Sequence, residues 1–164
     1  MSTPAVPPAR MPLAIAAQFW AWAALLRVLK HLVPLRVLVR LVRTGSRRSR
    51  THAGKVSTIV GYMRATGRFP ARAPANCLER SLVAYRLLRA AGARPELHVG
   101  VRRLADSGTL DGHVWLVIDG TAAAESHEFL RQFTPVLRVD ADGRFESPAG
   151  VRPETQQEQL RPVS

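Results

Sequence analysis

The chain is poor in cysteine: Cys77 is the only one among its 164 residues. A single cysteine excludes an internal disulfide framework and a zinc site built from several thiolates. The thiol of Cys77 is therefore free unless it pairs between chains. This cysteine usage is compatible with a reducing compartment, and we expect a cytoplasmic protein.

Acidic residues are missing from the first half of the chain. Residues 1–78 contain 13 Lys and Arg and no Asp or Glu, whereas residues 79–164 contain 11 basic and 12 acidic residues. The net charge of +12 thus belongs to the N-terminal half and indicates association with an anionic surface or an acidic partner. Because no zinc-finger or RNP motif accompanies the charge, we expect a peptide partner or a membrane surface and no nucleic acid.

Long hydrophobic runs are missing as well. Residues 11–26 are sixteen residues without a charge, whereas a membrane span needs roughly 20 apolar residues. We interpret this run as a packing helix first, with a membrane-surface helix as the second alternative and a membrane span as the third. Beyond Pro34, leucines and valines fall on one side of a second helix and Arg36, Arg40 and Arg43 on the other, which predicts a basic amphipathic helix.

The length fits one ordinary domain with added helices. We predict a basic helical region over residues 1–55, a core over residues 56–146 and a flexible tail over residues 147–164. In the core, a helix from Asn76 to about Ala91 precedes strands at residues 97–102, 113–118 and 121–125. A helix followed by antiparallel strands predicts an α+β fold.

The only cysteine stands at the predicted start of that helix. Asn76 is a good N-cap residue, and Glu79 can reach back to the cap's own backbone amide, so the two form a capping-box pattern. Cys77 then occupies the first helical position, where unpaired amides and the helix dipole lower the pKa of a thiol. The alternative is that Cys77 only packs, as most free cysteines do.

A thiol nucleophile needs a base, and the base needs an acid that orients it. Five histidines are available as the base, and His113 begins a strand. Asp119-Gly120 predicts a two-residue hairpin turn after that strand, which pairs Ile118 with Thr121 and Val117 with Ala122. Continued pairing brings Glu125 diagonal to His113 and leaves Asp119 about 20 Å away at the turn.

We therefore predict Glu125, and not the more conspicuous Asp119, as the orienting acid. Strict pairing of the hairpin places Glu125 and His113 on opposite faces of the sheet. The prediction thus requires a one-residue irregularity or a longer turn.

Several linked segments resemble a known family. They are Cys77-Leu78-Glu79-Arg80-Ser81-Leu82, the residues Leu97 to Arg103, and His113-Val114-Trp115-Leu116. Their order is similar to that of the transglutaminase-like cysteine proteases of lasso peptide biosynthesis. The similarity covers about residues 68–138.

The resemblance implies a papain-like or transglutaminase-like core, preceded here by basic hydrophobic helices, that removes the leader from a ribosomally made precursor. It implies Cys77 as nucleophile and His113 as base, with Glu125 at the place where the family commonly has Asp. The implied partners are the precursor peptide, a separate leader-recognition protein and a lasso cyclase. We predict no cofactor and no metal. A transglutaminase-like acyl transferase and a non-catalytic peptide- or membrane-binding protein stay open as alternatives.

Overall fold

The computed structural model describes residues 13–43, 52–67 and 76–147. Prolines and polar residues predict a flexible lead-in over residues 1–10, a solvated linker over residues 44–50 and an extended approach to Cys77 through Pro70 and Pro74. These three segments and residues 148–164 of the predicted tail lie outside the described ranges. The described part contains five helices: α1 (Leu13–Leu29), α2 (Leu35–Arg43), α3 (Ala53–Gly67), α4 (Cys77–Ala90) and α5 (His127–Leu130).

The strands form a five-stranded antiparallel sheet in the order β3-β2-β1-β4-β5. Helices beside a small antiparallel sheet make an α+β fold, as predicted from the sequence. The strands are β1 (Pro95–Arg103), β2 (Leu110–Ile118), β3 (Thr121–Ala122), β4 (Thr134–Val139) and β5 (Phe145–Glu146).

Helix α4 is the centre of the packing. The first three helices all contact it, and its opposite side contacts β1 and β2. Its periodic apolar positions explain this, since a helix with buried residues on most of its circumference must be covered on several sides. The buried positions of α4 are Glu79, Ser81, Leu82, Val83, Ala84, Tyr85, Leu87 and Leu88.

Helices α1 and α2 contribute buried residues to the same apolar core as α3 and α4, among them Phe19, Leu26 and Leu38. This burial agrees with the packing interpretation over residues 13–26, the described part of that run. None of the helices in the described ranges has the length and hydropathy to cross a bilayer. The division of the chain at residues 55 and 146 stays a prediction.

Cations of the basic N-terminal half are bound by the C-terminal half. Lys30 pairs with Glu79 at 2.7 Å, the Arg43 guanidinium donates to the carbonyl of Asp142, and the Arg36 guanidinium lies 5.5 Å from the centre of the Phe145 ring. Part of the uneven charge thus holds the two halves of this chain together.

The hairpin between β2 and β3 has the predicted turn. Asp119 and Gly120 adopt φ angles of 49° and 78°, the left-handed conformation that a two-residue turn of this kind requires. The pairs Ile118–Thr121 and Val117–Ala122 form as predicted. The third strand ends at Ala122, three residues earlier than predicted.

Candidate active site

Cys77 is the first residue of α4, at the end where backbone amides have no partner inside the helix. The Asn76 side chain accepts a hydrogen bond from the Glu79 amide at 3.0 Å, and the Asn76 amide donates to the Glu79 carboxylate at 3.2 Å. This confirms the capping box. The box fixes where the helix starts and hence where the thiol of Cys77 lies.

The carboxylate of the capping box is itself buried and paired. Glu79 is 1% exposed, and Lys30 Nζ lies 2.7 Å from Glu79 Oε1 in an ion pair without hydrogen-bond geometry. Because Lys30 lies just beyond α1, this pair connects the end of α1 to the start of the helix that carries Cys77.

Replacement of Lys30 by methionine is expected to destabilise the fold. Among the described residues, the buried Glu79 carboxyl would be left with the Asn76 amide as its partner, and an incompletely paired buried group costs roughly 1–3 kcal/mol. Urea denaturation measures the loss. Lys55→Met is the matched control, because Lys55 lies exposed on α3. Equal stability of the two variants would contradict this role of Lys30.

His113 lies on β2 with its ring beside the thiol of Cys77, close enough that each group shifts the pKa of the other. The helix and the strand are joined by a second contact beside it, in which the buried Ser81 hydroxyl donates to the Val114 carbonyl at 3.0 Å. These contacts place the start of α4 against β2. The structure therefore brings together the predicted nucleophile and the predicted base.

The environment of the pair shifts both pKa values. Burial alone raises the pKa of Cys77, but the polar contact and charge of the neighbouring His113 and the backbone amides of Val114 and Leu78 lower this pKa below its ordinary value. Burial favours neutral His113, whereas Cys77 and Glu125 favour the imidazolium and raise the pKa of His113 from 6.5 to about 9. The two shifts together favour a thiolate–imidazolium pair.

Glu125 is the acid that reaches this pair. Its Oε1 lies 3.6 Å from His113 Nε2, slightly beyond hydrogen-bond distance, and its side chain is 8% exposed. Strict hairpin pairing would place Glu125 and His113 on opposite faces of the sheet, but the pairing of β2 with β3 ends at Ala122. After one further backbone bond, from the Ala123 amide to the Leu116 carbonyl, the chain bends out of the ladder and Glu125 turns toward His113.

Arg80 also reaches Glu125. Its Nη2 donates to Glu125 Oε1 at 3.1 Å, which makes Arg80 the closer of the two basic partners of this carboxylate. Sequence reasoning included Arg80 in the family motif and assigned it no role. The one local signal is its position three residues after Cys77, on the same end of α4.

An aromatic cluster lies against His113. The Trp115 ring is stacked on the His113 ring with centroids 6.1 Å apart. The ring centroids of Phe129 and Phe133 lie 5.2 and 5.3 Å from that of His113. These rings surround the imidazole and limit its access to water. The sequence predicts a short edge strand or loop from Phe129 to Val139, and the structure has the end of α5 and then β4 there. That prediction gave Phe129 and Phe133 no role beside His113, so the cluster was missed.

A glycine makes room for this cluster. A Cβ atom at Gly100 would lie 2.8 Å from Trp115 Cη2 and 3.0 Å from Phe133 Cβ. Both contacts are shorter than van der Waals distance, and both aromatic side chains are buried. Because Gly100 has no side chain, the Trp115 ring can occupy the position in which it stacks on His113.

Gly100→Ala is expected to displace Trp115 and to destabilise the fold by about 1–3 kcal/mol, the usual cost of overpacking. We expect a slower reaction of Cys77 as well, because the support of His113 moves. Gly112→Ala on the neighbouring strand is the control, since nothing lies within 4 Å of its Cβ position. The measurements are the thermal unfolding midpoint and the rate of Cys77 alkylation in both variants. Equal midpoints and equal rates would contradict the prediction.

The other histidines lie outside the pair. His31, His52 and His127 are exposed, and His98 is bound to Glu96 at 3.1 Å. Asp119 is exposed at the hairpin turn. Within the described ranges, no three His, Cys, Asp or Glu side chains are grouped so as to hold a metal ion.

The chain matches the sequence model of a known family. The sequence model of the transglutaminase-like superfamily matches residues 14–138, from the start of α1 nearly to the end of β4. That superfamily includes cysteine peptidases and acyltransferases. No curated protein and no solved structure matches the chain significantly.

Proposed function

This chain belongs to the transglutaminase-like superfamily, and we propose that it is a cysteine peptidase that removes the leader from a ribosomally made lasso peptide precursor. The observation that carries the peptidase chemistry is the placement of the Cys77 thiol at the start of α4 against His113 on β2, where each shifts the pKa of the other, with Glu125 3.6 Å from His113. The choice of precursor rests on the sequence motifs around these residues and on their resemblance to lasso peptide proteases.

In the proposed reaction, the Cys77 thiolate attacks the carbonyl carbon of the bond between leader and core. A sulfur–carbon bond forms and the carbonyl electrons move to the oxygen, which the Cys77 backbone amide at the helix start can stabilise. The carbon–nitrogen bond then breaks, and the His113 imidazolium gives its proton to the departing amine. The leader remains as a thioester on Cys77.

Water completes the cycle. His113, now neutral, takes a proton from a water molecule that attacks the thioester carbon, and the leader leaves with a new carboxylate. The sulfur departs as the thiolate, so the thiolate–imidazolium pair is restored. Glu125 orients His113 and stabilises its positive charge in both halves of the cycle.

The proposed partners follow from the same resemblance. They are the precursor through its leader, a separate leader-recognition protein and a lasso cyclase. We propose a cytoplasmic location, and contact between the N-terminal helices and a membrane surface is a further proposal to test.

Acyl transfer is the second candidate function, because the superfamily that matches the chain includes acyltransferases. The thioester on Cys77 would form in the same way. A primary amine, and not water, would then attack it, and the product would be an amide.

Product analysis distinguishes the two functions. The purified chain is incubated with precursor and recognition protein in water labelled with heavy oxygen, with and without a primary amine. A peptidase gives a leader whose new carboxylate carries one heavy oxygen atom, whereas an acyl transferase gives a leader amide. A wild-type chain that forms neither product with its recognition protein present would overturn the proposed function.

A further inference from the structure

The carboxylate beside His113 is shared between two basic side chains. Glu125 Oε1 lies 3.1 Å from Arg80 Nη2 and 3.6 Å from His113 Nε2. All three side chains are largely buried, with 13%, 8% and 14% of Arg80, Glu125 and His113 exposed. Solvent screens buried charges only weakly. The position of Arg80 therefore affects how strongly the Glu125 carboxylate stabilises a positive charge on His113.

Arg80, Glu125 and His113 each have a buried polar atom that makes no hydrogen bond within the described part of the chain. Among the described residues, Arg80 Nε, Glu125 Oε2 and His113 Nε2 are buried polar atoms without a hydrogen-bond partner. Buried polar atoms are normally paired, so three unpaired atoms in one place indicate an arrangement that can change. A small rotation of the Glu125 side chain would replace the bond to Arg80 with one to His113.

Arg80 is also fixed to the nucleophile. It lies in the first turn of α4, where its amide donates to the Asn76 carbonyl at 3.0 Å. The helix that presents Cys77 to the base therefore also presents the guanidinium to the acid. While α4 is folded, the backbone positions of Cys77 and Arg80 are therefore fixed relative to each other, and only the side chains can adjust.

We propose that Arg80 is a positioning residue that holds Glu125 away from a full ion pair with His113, and so limits the basicity of the imidazole. The proposal deepens the proposed function and rests on it, because there His113 must release a proton to the departing amine. An imidazolium paired fully with a carboxylate holds that proton more tightly and is a weaker acid.

Among the residues that the structure describes, the other charged group near His113 is Arg102, and its charge is paired with that of Asp111. Arg102 lies over the Phe133 ring at 4.7 Å and over the Phe129 ring at 5.9 Å, and it is paired with Asp111 at 2.8 Å. The aromatic rings lie between this pair and the imidazole. The charged groups that face His113 are thus Cys77 and Glu125, with Arg80 acting on Glu125.

NMR titration of the His113 ring tests the proposal without any substrate. In Arg80→Met, Glu125 is free to pair with His113, and we expect the titration midpoint of His113 to rise by about 1 pH unit. Arg80→Lys keeps a cation on the carboxylate and is expected to stay close to the wild type. If Arg80→Met does not fold, Arg80→Gln supplies an uncharged side chain that can still donate a hydrogen bond.

A double substitution separates positioning from simple repulsion between Arg80 and His113. In a Glu125→Gln background, Arg80→Met should shift the His113 midpoint by less than half as much, because there is no carboxylate to release. Arg94→Met, which removes an exposed arginine paired with Asp142, is the control and should leave the midpoint unchanged.

The outcomes are distinct. A midpoint that falls or stays the same in Arg80→Met, or a shift that persists in full in the Glu125→Gln background, overturns the proposal. With precursor and recognition protein, kcat of Arg80→Met should fall about tenfold and recover in Arg80→Lys. Absence of peptidase activity in the wild type would reject the proposed function and leave the titration result standing.

Discussion

Cys77→Ala is expected to reduce leader release by at least about 10⁴-fold, because removal of a nucleophile leaves only binding and oxyanion stabilisation. The sequence has no second cysteine that could replace it. The measurement is the rate at which free leader appears by mass spectrometry, with recognition protein present. The variant should keep its far-ultraviolet circular dichroism, since alanine is well tolerated at the first position of a helix.

Two further variants make the Cys77 result specific. Cys77→Ser keeps the shape of the side chain with a much weaker nucleophile and should be nearly as inactive. Ser57→Ala, on the exposed side of α3, should cleave at the wild-type rate. Unchanged cleavage by Cys77→Ala would remove the thiol from the reaction and with it the proposed mechanism.

His113→Gln is expected to have the second-largest effect, a loss of about 10²- to 10⁴-fold in cleavage. It should also slow the alkylation of Cys77 by iodoacetamide at neutral pH by about tenfold or more, because loss of the imidazolium lets the pKa of the thiol rise. His31→Gln, at an exposed position, is the control. Equal alkylation of the two variants would contradict the role of His113.

The two pKa shifts predict how the cleavage rate of the wild type depends on pH. The pKa of Cys77 is lowered by His113, so the thiolate forms below the usual range of a thiol. The pKa of His113 is raised to about 9, so the imidazolium persists well above the usual range of a histidine. Cleavage should therefore rise through the lowered pKa of Cys77 and fall as pH increases through about 9.

Alkylation separates an enzyme from a binding protein with the same fold. Iodoacetamide needs only the thiolate, so its rate should remain high above a pH of about 9, where cleavage declines. Slow alkylation that does not vary with pH near neutrality would favour the non-catalytic alternative.

Local patterns in the sequence were sufficient for the start of α4 and for the hairpin. Asn76 and Glu79 are three residues apart, and their reciprocal bonds form within one turn. Asp119 and Gly120 accept the backbone angles that a two-residue turn requires, which fixes the pairing of Ile118 with Thr121. Such features depend on neighbours in the chain, and for this reason the sequence by itself predicts them.

The contacts around the acid depended on the tertiary structure. Nothing near Glu125 in the sequence shows that β3 ends at Ala122, yet that early end turns the carboxylate toward His113. The bond from Arg80 to Glu125 spans 45 residues, and the Lys30–Glu79 pair connects the end of α1 to α4. Sequence spacing carries no information about such pairs, because the packing of α4 between the other helices and the sheet decides which side chains meet.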